Sequence, residues 1–214
     1  MSEYSSSRKN AWMGEQARAW WQSIQYNGKK TERPKGRFHV LDRADRARCA
    51  RCVTLDELQC ERAPLLLFEA LTDASRVQNN RLTEWLLKNY EGVLLVAGVL
   101  AHVRKDVEND KSLVLPLGFA ELKKEERPKL SELRFRRLLA EESYEAFFHA
   151  VRRVVCLRGQ EGVSVARLAV DLLEWSRQRE QASSRMKFEW AKDYYLSAKD
   201  QKIEAETTVE AVEI

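Results

Sequence analysis

Glycine and proline are scarce in this sequence, with 8 and 4 residues among 214. A chain so short of punctuating residues has little from which to build many tight turns. Leu, Ala, Glu, Arg and Lys dominate instead, the composition of long helices joined by a few turns. No segment shows a convincing strand alternation and no internal repeat is visible, so the expected class is all-α without a sheet. A charge of one sign is also lacking. The 37 basic residues face 33 acidic ones and leave a formal charge of +4, which is weak support for a polyanionic partner from total charge alone. Long apolar runs are missing as well: Val93 to Ala101 is about half of the roughly 20 residues a membrane-spanning helix needs. The polar start MSEYSSSRKN does not resemble a signal peptide, and a chain of this size with 4 cysteines does not need disulfide staples. A cytoplasmic protein without a membrane partner is expected.

The equipment of catalysis is absent too. There is no G-x-S-x-G, no Walker loop and no H-E-x-x-H, and the three histidines, His39, His102 and His149, are scattered. Glu145 and His149 lie four apart on one helix, where a solvated pair explains them. Cys49-Ala-Arg-Cys52 has no second C-x-x-C to complete a zinc site, and no sheet to host a redox motif. The cysteines are expected to be small buried hydrophobes. The sequence therefore implies no enzyme, no metal, no cofactor and no small-molecule substrate.

What is present is helical periodicity and segregated charge. Met13, Ala17, Trp20, Trp21 and Ile24 form one stripe of a first helix that Asn27-Gly28 ends. A basic loop, 27–40, leads to a short helix over about 42–52 and another over 56–71. Residues 80–104, with Leu86, Tyr90, Val93, Leu94, Ala97, Leu100 and Ala101 at helical spacing, predict a central helix covered on most faces. Residues 105–128 contain Pro116, Gly118 and Pro128 and connect to further helices at about 129–140, 142–158, 164–180 and 184–198. The expected architecture is a two-lobed bundle of about eight helices. Its N-terminal lobe is 11–104 and its C-terminal lobe 129–200, with 1–10 and the acidic tail 201–214 disordered. Trp20, Trp175 and Trp190 lie on or beside apolar stripes and are expected to pack.

From Arg33 to Arg51 there are seven basic and two acidic residues, and from Lys123 to Arg137 seven and three. After Lys202 come four glutamates and no base. Arg134 and Arg137 sit three apart opposite the inward Phe135, Leu138 and Leu139, a pair with phosphate-like reach. Arg152 and Arg153 are adjacent on the next helix, with Arg153 about 100° further from the apolar stripe and so the more exposed. Arg177 and Arg179 end the following helix. Arg43, Arg46, Arg48 and Arg51 form two i, i+3 pairs that do not share one face. Two readings fit such surfaces: a subunit of a ribonucleoprotein, or a stand-alone helical nucleic-acid-binding or regulatory protein.

The order of these signals resembles the CasB family. The matching elements are Ala19-Trp20-Trp21, Leu41-Asp42-Arg43-Ala44 running to Ala50-Arg51, and Leu117-Gly118. They continue with Arg134 to Leu139, Arg152-Arg153, Leu168-Ala169 leading to Asp171 to Trp175, and Trp190 to Tyr195. Cys49-Ala50 departs from the family pattern, and the basic loop looks like an insertion. The resemblance implies the non-catalytic small subunit of a crRNA-guided type I-E CRISPR Cascade complex in antiviral defence. Its implied partners are the crRNA and target DNA backbone, the backbone and large Cascade subunits, and a second copy of itself. Carried over, the nucleic-acid-binding residues would be Arg43, Arg46, Arg48, Arg51, Arg134, Arg137, Arg152, Arg153, Arg177 and Arg179.

Overall fold

Residues 11–27, 36–78, 80–107, 112–119, 127–178 and 184–196 are described by a computed structural model. Among them the apolar stripes resolve into 10 α-helices. These are α1 (Ala11–Ile24), α2 (Arg43–Arg51), α3 (Leu55–Leu58), α4 (Arg62–Gln78), α5 (Asn80–Lys88), α6 (Glu91–Leu100), α7 (Glu132–Ala140), α8 (Tyr144–Arg158), α9 (Val165–Gln178) and α10 (Arg185–Tyr195). Two 3₁₀ turns, Arg37–Val40 and Leu115–Leu117, complete the set. The all-α expectation holds: among the described residues β pairing is limited to an isolated bridge between Asp106 and Val163. Residues 1–10, 201–214, most of the basic loop and Arg179 lie outside the described residues.

The excess over eight helices comes from two breaks. The segment expected over 56–71 divides into α3 and α4. In a continuous helix Pro64 would clash with the carbonyl of Cys60 and remove a backbone bond, whereas in the first turn of α4 neither cost arises. The segment expected over 80–104 divides at Asn89. There the side-chain amide and the backbone N–H both donate to the Trp85 carbonyl, each at 2.9 Å, and the chain turns before α6. Tyr90, expected in the core, falls at that turn and is 45% exposed.

Helix α6 is the centre of the molecule. Every residue from Gly92 to Leu100 is buried, and α3, α4, α8 and α9 surround it. Its glycines permit this density: a Cβ on Gly98 would lie 2.5 Å from the Leu58 side chain and 2.8 Å from the Phe148 ring. Helix α1 runs along α9, with Gly14 against the Ala166 backbone. Trp20, Trp175 and Trp190 are fully buried, as their stripes predict. Trp20 donates to the Ala63 carbonyl at 2.7 Å and Trp190 to the Asp171 carboxylate at 2.8 Å, so their indole N–H groups do not enter the core unpaired. Trp175 stacks on Phe147 with ring centroids 3.8 Å apart.

The junction before α9 is built on Asp106. Its carboxylate accepts the Val165 amide at 3.0 Å, capping α9, and pairs with Arg18 of α1 at 2.5 Å. Gly162, with φ 81°, lies close enough to the Lys105 carbonyl that a Cβ would come within 2.8 Å of it. Burial pushes the Asp171 carboxyl up to about 6, against the opposing pull of Arg167 and Trp190.

Candidate nucleic-acid interface

Helices α7 and α8 form the walls of an open groove, and each is positioned from behind. Phe135 of α7 is fully buried and stacks on Tyr194 of α10 at 3.9 Å, while the Tyr194 hydroxyl donates to the Leu130 carbonyl at 2.6 Å. Burial raises the Tyr194 phenol to about 12, so it keeps the proton it donates. On the outer side Glu132 accepts from Arg136 at 2.6 Å and from the Tyr195 hydroxyl at 3.1 Å. Helix α8 opens on Ser143, whose hydroxyl accepts the Ala146 amide at 3.1 Å. It is anchored by Phe147, Phe148, Val151, Val154 and Val155, all buried. With the apolar faces fixed inward, the periodicity of each helix turns Arg134, Arg137 and Arg153 outward.

The groove between them has a volume of about 1020 Å³ and carries Arg134 and Arg137 on one wall and Arg152 and Arg153 on the other. Leu130, Leu138 and Leu157 supply its apolar lining, with His149 and Cys156 beside them and Glu141 the acid at its edge. Arg134, Arg137 and Arg153 are exposed and Arg152 is half-buried, in the order the helical spacing predicts. The Arg153 guanidinium donates to the His149 carbonyl at 3.2 Å and leans along its own helix. Arg152 reaches to 3.5 Å from the Cys52 carbonyl at the end of α2. His149, Arg152, Arg153 and Cys156 recur at i, i+3, i+4 and i+7. That spacing puts His149 and Cys156 on the same face as the two arginines, a signal carried by the sequence itself.

The other arginines stand elsewhere. Arg43 and Arg51 are exposed at the two ends of α2. Arg46 is half-buried, and its guanidinium donates to the Ala101 carbonyl at 3.0 Å, the Val103 carbonyl at 3.2 Å and the Gln25 side chain at 2.8 Å. It thus holds α2 to the carbonyl end of α6 and to α1. Arg48 is bonded to Asp45 and lies 3.2 Å from Glu61. Asp45 is itself buried. Burial alone would raise its carboxyl, but two bonds from Arg62 at 2.8 Å, the Asp42 amide and Arg48 together hold it below the usual carboxylate range. Arg177 is exposed at the end of α9, beside Trp85 and Met13 and away from the groove. Arg134, Arg137, Arg152 and Arg153 are therefore brought together; the arginines of α2 and α9 are not brought to that groove.

The remaining chemistry-bearing residues differ in part from expectation. Cys49 and Cys52 are buried, but Cys60 and Cys156 are exposed. Burial, then the neighbouring Cys52, Glu61 and Asp45, pushes the Cys49 thiol up to about 12. Glu145 is not a solvated partner of His149; its carboxylate accepts the Leu55 amide at 2.8 Å and so caps α3. Burial, then the charge of Arg152 and Arg46, lowers His102 to about 4. Among the described residues no group of three or more His, Cys, Asp or Glu could hold a metal ion, and no helix is long and apolar enough to cross a membrane.

No curated protein and no solved structure matches the chain. The family described as CRISPR-associated protein Cse2 matches residues 45–195, a span that includes α3 to α10 and both walls of the groove. With well over half of its length matched, the chain belongs to the Cse2 family, also called CasB, the small subunit of type I-E CRISPR Cascade, and is thereby a component of Cascade alongside other Cascade subunits.

Proposed function

We propose that this chain is a non-catalytic Cascade subunit whose groove between α7 and α8 seats nucleic-acid backbone and so stabilises the R-loop. The observation that carries the reading is the convergence of Arg134, Arg137, Arg152 and Arg153, from two helices, on one open groove whose lining, among the described residues, holds one acid, Glu141. Guanidinium groups on both walls suit a phosphate backbone, because each offers a planar fork of donors and keeps its charge at any physiological pH. Nothing in the groove orders the arginines along one reading helix, so the contact is blind to sequence. In guide-directed recognition that is sufficient. Base pairing reads the target, strand exchange is nearly balanced in energy, and contacts to backbone tip it. In this reading the neighbours are the crRNA, the target DNA, the larger Cascade subunits and a second copy of the chain, all in the cytoplasm. Arg43 and Arg51 are accessory contacts at the edge of the same assembly.

The test is a salt titration of target binding by the reconstituted complex carrying Arg134→Ala, Arg137→Ala and Arg153→Ala. Each phosphate neutralised on a single strand adds about 0.7 to the slope of log K against log salt, so the three changes should flatten it by roughly 2. Matched and mismatched targets should lose affinity alike. An unchanged slope in an assembled complex would overturn the reading, and failure to assemble would assign these arginines to a subunit interface.

A further inference from the structure

The groove has a polyanion closer at hand than nucleic acid. Residues 203–214 carry Glu204, Glu206, Glu210 and Glu213 with no lysine or arginine, interleaved with Ile203, Val209, Val212 and Ile214. The groove offers the complement: arginines on both walls with Leu130, Leu138 and Leu157 between them. The path is short. The last described residue, Leu196, is extended in backbone (φ −102°, ψ 129°) and follows Tyr194 and Tyr195. Tyr194 holds the Leu130 carbonyl at 2.6 Å, and Leu130 is itself a lining residue of the groove. The chain therefore leaves α10 one tyrosine side chain away from the groove. Residues 197–202 alone can extend about 20 Å, enough to bring the acidic stretch alongside Arg134 and Arg137.

We propose that residues 203–214 seat in the arginine groove of their own chain and compete with nucleic acid for it. The consequence is a charge-based guard. The free subunit is kept off non-specific polyanions, and a nucleic acid held in place by the rest of the complex displaces the tail. Tethering sets the size of the effect. A segment linked this closely is present at an effective concentration on the order of 1 mM. If its intrinsic dissociation constant is between about 1 and 0.1 mM, it raises the apparent dissociation constant of a competitor about 2- to 11-fold. Arg134, Arg137 and Arg153 are exposed, so the attraction is screened and the effect fades as salt rises.

The inference rests on the groove being a seat for polyanions, and the two readouts separate its failure from failure of the nucleic-acid reading. The first places a nitroxide on Cys156, which is exposed and lines the groove, in a full-length Cys60→Ser protein, and follows broadening of the backbone amide resonances of residues 203–214. Broadening is expected at low salt. It should be relieved by salt, and lost with Arg134→Ala, Arg137→Ala and Arg153→Ala. The second compares single-stranded oligonucleotide binding by the full chain and by a chain stopped after Lys202, where the shortened chain should bind about 2- to 11-fold more tightly at low salt. Glu204→Gln, Glu206→Gln, Glu210→Gln and Glu213→Gln together should reproduce the gain. Absence of broadening would overturn the inference while leaving nucleic-acid binding by the arginines intact. Broadening that persists in the triple-alanine protein would also overturn it. So would broadening seen only between a spin-labelled copy and a separate isotope-labelled one, which would assign the tail to a neighbouring molecule.

Discussion

Arg46→Lys separates an arginine that builds the fold from one that binds phosphate, because lysine keeps the charge and removes the fork. The Arg46 guanidinium makes three bonds, to the Ala101 and Val103 carbonyls and the Gln25 side chain. A hydrogen bond from a charged donor contributes about 1.5–3 kcal/mol. A lysine ammonium in the same place can keep one of the two carbonyls at most, and Arg46 is half-buried, so water replaces part of what is lost. The net cost should be about 2–4 kcal/mol. In urea unfolding followed by helical circular dichroism, with an m value of about 2 kcal/mol/M, the midpoint should fall by about 1–2 M without a change in slope. Arg43→Ala and Arg51→Ala, at exposed positions of the same helix, should stay within about 0.5 kcal/mol of the parent. An Arg46→Lys protein as stable as the parent but weaker on nucleic acid would refute the reasoning and return Arg46 to the binding surface.

The pH dependence of stability should show two opposing groups. Asp171 titrates near 6 in the fold against 3.8 outside it, so the folded state holds its proton longer and that contribution is lost as pH rises through 6. His102 titrates near 4 against 6.5, so its contribution is full above 6.5 and lost as pH falls through 4. Urea midpoints between pH 4.5 and 6.5 should therefore fall more steeply on acidification in Asp171→Asn than in the parent, and less steeply in His102→Asn. Gly98→Ala should cost about 1–3 kcal/mol by overpacking against Leu58 and Phe148, read as a lowered melting temperature. A thiol reagent should modify Cys60 and Cys156 in the native protein and reach Cys49 and Cys52 only on unfolding, as counted by mass spectrometry.

The stripes that built α1, α8 and α9 were legible because each is a local period, and a helix with one apolar face has one way to bury it. What escaped was decided by single atoms or by distant partners. The turn at Asn89 depends on a side-chain amide competing for the Trp85 carbonyl, and the apolar period runs through it without a mark. Phe188 belongs to the aromatic set of α10, yet it is 67% exposed while Met186, Trp190 and Tyr194 are buried. Its exposure, unlike that turn, is legible in the spacing, because it lies about 200° round the helix from Met186 and Trp190, which with Tyr194 form one stripe at i, i+4 and i+8. The glycines of α6 read as weaknesses in a helix until Leu58, Phe148 and Ser176 are brought against them from other parts of the chain.

The same division runs through the arginines. Helical spacing tells which way a guanidinium leaves its own helix, and Arg134, Arg137 and Arg153 are exposed as it predicts. It cannot tell what the guanidinium meets. On α2, Arg46 finds the carbonyl end of a helix that begins 45 residues later in the chain, and Arg48 finds a buried carboxylate that Arg62 also holds. A helix end leaves carbonyls unpaired, and a buried carboxylate must be compensated, so each draws in the nearest guanidinium before any phosphate arrives. An arginine is left to a ligand when the fold offers it no acceptor of comparable need. By that criterion Arg46 and Arg48 of α2 are scaffold, which is why the proposed site is drawn at the α7–α8 groove; the distinction is set by tertiary contacts between segments that the residue pattern of either segment alone does not contain.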